Sequence, residues 1–107
     1  MRTVEFRRLL DYDNALRVMF ESEGGLIVRF VVQLECRFAK EGEWVAVVRY
    51  DTAHGYAHRD IMHPYKKEEK IEMSVQDYNE AFTIAMNDVV GKRNDYRRRC
   101  EEWVKQR

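Results

Sequence analysis

The sequence predicts an α+β domain: an antiparallel β-meander of four to five strands with one face covered by a long C-terminal helix. Three observations carry this. Leu26 to Phe38, LIVRFVVQLECRF, sets Leu26, Val28, Phe30, Val32, Leu34, Cys36 and Phe38 on one parity, with Ile27, Arg29, Val31, Gln33, Glu35 and Arg37 on the other, a mixed face. That period of two belongs to a strand with one buried face. Past Ser74 the apolar spacing lengthens. Val75, Tyr78, Phe82, Ala85, Met86, Val89, Tyr96, Cys100 and Trp103 recur at steps of mostly three and four, which is one stripe along a helix. Finally, the strand-like runs are joined by short turns, as antiparallel neighbours are.

Taken in order, TVEFRRLL near the start reads as a strand, with a short helix as the alternative, and DYDN (Asp11 to Asn14) as its turn. NALRVMFES alternates Leu16, Val18 and Phe20 against Arg17, Met19 and Glu21, and SEGG (Ser22 to Gly25) joins it to the long strand as a hairpin. AKEG (Ala39 to Gly42) turns into WVAVVRYD, where Trp44, Ala46, Val48 and Tyr50 share one face and Val45, Val47, Arg49 and Asp51 the other. TAHG is a turn, Tyr56 to Met62 a returning strand, and Pro64 to Lys70 a charged loop.

The helix is expected over about 75–106, from a capping-box-like Ser74 and Asp77. Gly91 costs about 1 kcal/mol relative to alanine and marks the place for a kink or break. The whole chain, 1–107, reads as a single domain, sheet over about 3–73 and helix thereafter. A straight helix of ~32 residues would be about 48 Å long against ~20 Å for an ordinary strand. Its distal half, with Trp103 and Val104, would overhang, and an overhanging apolar stripe predicts a homodimer.

Hydrophobic residues form 45% of the chain, enough for a core, and 19 basic residues balance 19 acidic ones. That balance argues against a general nucleic-acid or membrane binder but leaves room for a local basic patch, such as Lys92, Arg93, Arg97, Arg98 and Arg99. Such a run is usually a solvated helix face; otherwise it suits RNA or an acidic partner. Cys36 and Cys100 stand in no metal-ligand or CxxC spacing and read as buried thiols in a reducing cytoplasm. No apolar run is long enough to span a bilayer, and the first ten residues do not resemble a signal peptide. No Gly-rich phosphate loop or GxSxG occurs, and no cofactor is expected.

RYDTAHGYAHRDIMHP, Arg49 to Pro64, holds all three histidines and the one proline. Three readings compete. In the first, His54 or His58 is a general acid or base, Asp51 orients its ring, and Arg49 and Arg59 hold a phosphate, with Tyr50 and His63 beside the substrate: the kit of a metal-independent ribonuclease. In the second, His54, His58, Asp60 and His63 ligate a metal such as zinc, making a metal-dependent hydrolase. Their HxxxH spacing is a strong cue only on a helix, which Gly55 argues against. In the third, the histidines bond local backbone, Arg49 and Asp51 form a surface pair, and the chain is a non-enzymatic partner-binding protein.

RYDTAHGYAHRD resembles small prokaryotic proteins and, more faintly, the TumE family of toxin-type proteins. They share an arginine–aromatic–aspartate triplet at a strand end followed by close-set histidines. The resemblance covers roughly Arg49 to His63. It implies Arg49, Asp51, His54 and His58 as functional residues, toxin–antitoxin biology, action on RNA and an antitoxin-like partner.

Overall fold

The computed structural model describes residues 1–105; the expected helix end at residue 106 lies outside them. Six strands lie side by side in sequence order, β1 (Arg2–Asp11), β2 (Asn14–Glu23), β3 (Leu26–Arg37), β4 (Trp44–Asp51), β5 (His58–Ile61) and β6 (Glu69–Glu72), every neighbour antiparallel. The α+β meander is therefore as expected, with more strands. The first run is a strand, not a helix. The added strand, β6, falls partly in the expected charged loop. Its EKIE side chains are all exposed, so no buried parity marks it, and charge on an edge strand guards against further pairing.

The β2–β3 hairpin turns on Gly24 and Gly25, at φ 60° and 82°. Two successive positive φ values suit the tight hairpin turns whose twist matches that of strands.

The helical part is two pieces, α1 (Tyr78–Gly91) and α2 (Arg93–Lys105), not one long helix. Lys92, at φ −110° and ψ 19°, separates them. The chain thus breaks directly after the glycine, where helix propensity is lowest. The start also lies later than expected. Asp77 is the cap: its side chain accepts the Glu80 N–H at 2.8 Å, while Glu80 Oε2 accepts the Gln76 N–H. The capping box is thus built on Asp77 and Glu80, and Ser74 stands outside it.

Because the helix breaks, its distal half does not project as expected. Tyr96 and Cys100 are buried against the sheet, and Trp103 packs at its margin. The overhang that predicted a homodimer is absent, though Val104 stays exposed.

Helices and sheet enclose Leu16, Val18, Phe30, Val32, Leu34, Cys36, Val48 and Tyr50 with Ala81, Ala85 and Val89. Phe82 meets Phe20 and Phe30 edge-to-face at 5.2 and 5.6 Å. The strand alternation runs out toward both ends of β3: Leu26 and Val28 are exposed, and so is Phe38 just past the strand, where Arg97 of α2 stacks over its ring at 4.8 Å.

β4 carries a correction. Leu34 pairs with Val48 but Glu35 pairs with Ala46, so Val47 is an extra residue in β4 and the parity reverses across it. Val45, paired with Cys36, takes the helix side, and Trp44, paired with Arg37, goes to the opposite face. There the guanidinium groups of Arg7 and Arg37 stack over the Trp44 ring at 4.7 and 4.9 Å.

Candidate functional site

The face opposite the helices is polar, and β4, β5 and β6 build its reactive part. Pairing sets Asp51 across from His58 and His58 across from Glu72, with Arg49, Asp60 and Lys70 in the next row. His58 is 1% exposed, with Asp51 and Asp60 also buried. Its Nδ1 lies 3.0 Å from Asp60 Oδ1, and its Nε2 lies 2.7 Å from Asp51 Oδ1. Asp51 Oδ1 also accepts the Ala53 N–H at 3.0 Å, and Lys70 Nζ reaches Asp60 at 3.2 Å. A buried imidazole thus lies between two carboxylates, hydrogen-bonded to Asp60 and in close contact with Asp51.

The turn after β4 closes over it. Gly55, at φ 84°, donates its N–H to Thr52 O and reverses the chain. His54 is thereby stacked on His58 with centroids 5.7 Å apart, and Tyr56 sits 5.3 Å from the same ring. His54 is exposed; His58 is reached only through its neighbours. Arg49 donates from Nε to Gln33 Oε1 at 2.7 Å, and Gln33 donates onward to Glu35 at 2.8 Å. Glu35 also takes Arg7 and Arg17. Burial alone would raise its carboxyl pKa; these three donors outweigh that and hold it below the usual value.

Of the expected residues, Asp51, His54, His58, Asp60 and Arg49 share this face. The others do not. Tyr50 and Arg59 pair with each other on the helix side. Tyr50 donates to Asp88 Oδ2 at 2.7 Å, Tyr96 donates to the same oxygen, and Arg59 donates to the Tyr96 hydroxyl at 3.4 Å. Burial, then the Asp88 hydrogen bonds, push both phenols above their usual pKa. His63 lies against Trp103, centroids 4.4 Å apart, and its Nδ1 accepts the Tyr65 N–H. It is therefore far from a shared ligand set with His54, His58 and Asp60; the residues whose ligand atoms converge are Asp51, His58 and Asp60.

Sequence reasoning missed Lys70, Asp88 and Tyr96 as partners. The available signal was modest: Asp88 is a lone acid beside the apolar helix stripe, where a buried acid needs partners. The basic run of α2 is largely engaged at home. Arg93 pairs with Asp11, Arg97 donates to the carbonyls of Asp13 and Arg37, and Arg98 pairs with Asp95.

A sequence family described as a domain of unknown function, DUF7718, matches residues 1–106. The chain belongs to this family. No curated protein and no solved structure matches it. In this DUF7718 chain no helix among the described residues is long and apolar enough to cross a membrane.

Proposed function

We propose that this protein is a ribonuclease of toxin type that cleaves RNA at the rim formed by Arg49, Asp51, His54 and His58. The observation that carries the reading is the exposed His54 ring stacked on the buried Asp51–His58–Asp60 cluster. His54 is the group that meets solvent, so it exchanges the proton of the attacking hydroxyl or the leaving oxygen. His58 and its carboxylates are the fixed floor on which His54 rests. Arg49, held through Nε by Gln33, presents its terminal nitrogens to a phosphate. Lys70 adds positive charge beside Asp60. The likeness of RYDTAHGYAHRD to TumE-type proteins supports RNA as substrate and an antitoxin-like protein as partner.

The test is cleavage of a labelled single-stranded RNA by purified protein, alongside growth of cells induced to make it. His54→Ala and Arg49→Ala should each slow cleavage by about a hundredfold and relieve growth inhibition, with unchanged circular dichroism. Cleavage at the parental rate in both variants, or none by the parent chain, would remove the reading.

A further inference from the structure

The contact between His58 and Asp51 is close but misdirected. Nε2 is 2.7 Å from Oδ1. Yet Nε2 is buried and makes no hydrogen bond, because the ring N–H direction misses the oxygen. On the other side of the ring, Nδ1 and Asp60 Oδ1 meet at 3.0 Å with good geometry. A proton on Nδ1 donates to Asp60 and leaves a lone pair on Nε2, facing a carboxylate oxygen. Two acceptors so close need something positive between them.

We propose that Asp51 and His58 are ligands of a divalent cation of the Mn²⁺ class, with Asp60 as the positioning residue behind the imidazole. A carboxylate on the far nitrogen of a metal-bound histidine is the usual way its ring is oriented. Asp51 is itself held by the Ala53 N–H and Asp60 by Lys70, as ligand carboxylates commonly are. The spacing also selects a geometry. Bonds of about 2.1 Å to atoms 2.7 Å apart enclose an angle of about 80°, near the right angle of an octahedral ion. A tetrahedral ion with similar bonds would hold its ligands about 3.4 Å apart. The remaining positions go to water. Asp51, though not His58, lines a cleft of about 260 Å³ together with Met19, Arg29, Phe30, Val31, Thr52 and Ala53, so water approaches from the Asp51 side.

The cation would serve the RNA-cleaving rim proposed above; its binding is measured separately from that reading. Mn²⁺ is titrated into chelator-treated full chain by calorimetry and by loss of the free-ion electron paramagnetic resonance signal. One ion per chain is expected, with affinity falling at least about tenfold in Asp51→Asn and unchanged in His63→Ala. As a check that needs no variant to fold, Mn²⁺ should broaden amide signals of Asp51 to Asp60 in the parent chain first. No binding at millimolar Mn²⁺, broadening centred elsewhere, or full affinity in a folded Asp51→Asn would each overturn the proposal. Mn²⁺ binding without RNA cleavage would sink the ribonuclease reading alone; cleavage without Mn²⁺ binding would sink the cation alone.

Discussion

Tyr50 and Tyr96 donate their hydroxyls to one oxygen of Asp88, so a strand, α1 and α2 meet at a single carboxylate. Lys92 pairs with the other oxygen at 3.5 Å but is largely exposed, and so contributes little. The phenols matter more, because each is buried and has no second acceptor among the described residues. Asp88→Ala strips both of their partner, and hydrogen bonds to a charged group count for more than neutral ones. The expected loss is about 2–4 kcal/mol of unfolding free energy. Urea denaturation checks it, with Asp88→Asn retaining part of the stability because one acceptor oxygen remains.

The same pair contributes to the alkaline limit, beside the Cys36 and Cys100 thiols, whose pKa burial also raises. Both phenols titrate higher in the folded chain than in the unfolded one. Their contribution is complete below the unfolded value of about 10 and declines as pH rises beyond it. Stability measured across that range should fall, and Tyr50→Phe with Tyr96→Phe should flatten the fall. A parallel decline in the double variant would show that other groups set the limit.

On the polar face Glu35 is the hub: Arg7 and Arg17 donate to its two oxygens at 2.9 and 3.0 Å, and Gln33 links it to Arg49. Its folded pKa is lowered from 4.5, so its contribution is present above that value and disappears as pH falls through the lower, folded one. Glu35→Gln should cost about 1–2 kcal/mol at neutral pH, less in high salt because the arginines are partly exposed. It should also soften the acid limb of stability and loosen Arg49, weakening RNA cleavage without abolishing it.

The meander was legible because Leu16 to Phe20 and Phe30 to Cys36 keep strict alternation where the helices cover them. Alternation reports burial, and it fell silent where burial did. β6 is exposed on every residue, so EKIE carried only charge. Val47 breaks the parity of β4 from within; nothing in WVAVVRYD distinguishes an extra apolar residue from an ordinary one, so simple alternation puts Trp44 on the wrong face. For the site, Arg49, Asp51, His58 and Asp60 share a parity in the paired strands, which the sequence shows. Arg59 and Tyr50 follow the opposite parity, and His63 continues it toward Trp103. Proximity in sequence grouped them; the pleat separated them. The helix break was visible as Gly91, but a return of α2 onto the sheet depends on contacts such as Arg97 with Asp13 and Arg37, more than fifty positions away in each case.

Gly55 is the residue on which the rim turns. Its φ of 84° belongs to the region an L side chain enters only with strain, and a methyl there would meet no atom within 4 Å. Space is therefore no obstacle, and Gly55→Ala should act through the backbone alone, costing about 1–2 kcal/mol. The chain can relieve that strain by opening the turn, and the first thing the opening moves is His54, which precedes it and rests on His58. RNA cleavage should accordingly fall more than stability does, while Mn²⁺ affinity, set by strand residues Asp51 and His58, should hold within a few-fold. Measuring all three on one preparation separates a displaced rim from a damaged fold: equal losses in cleavage and cation binding would mean that the turn positions the floor as well as the surface ring.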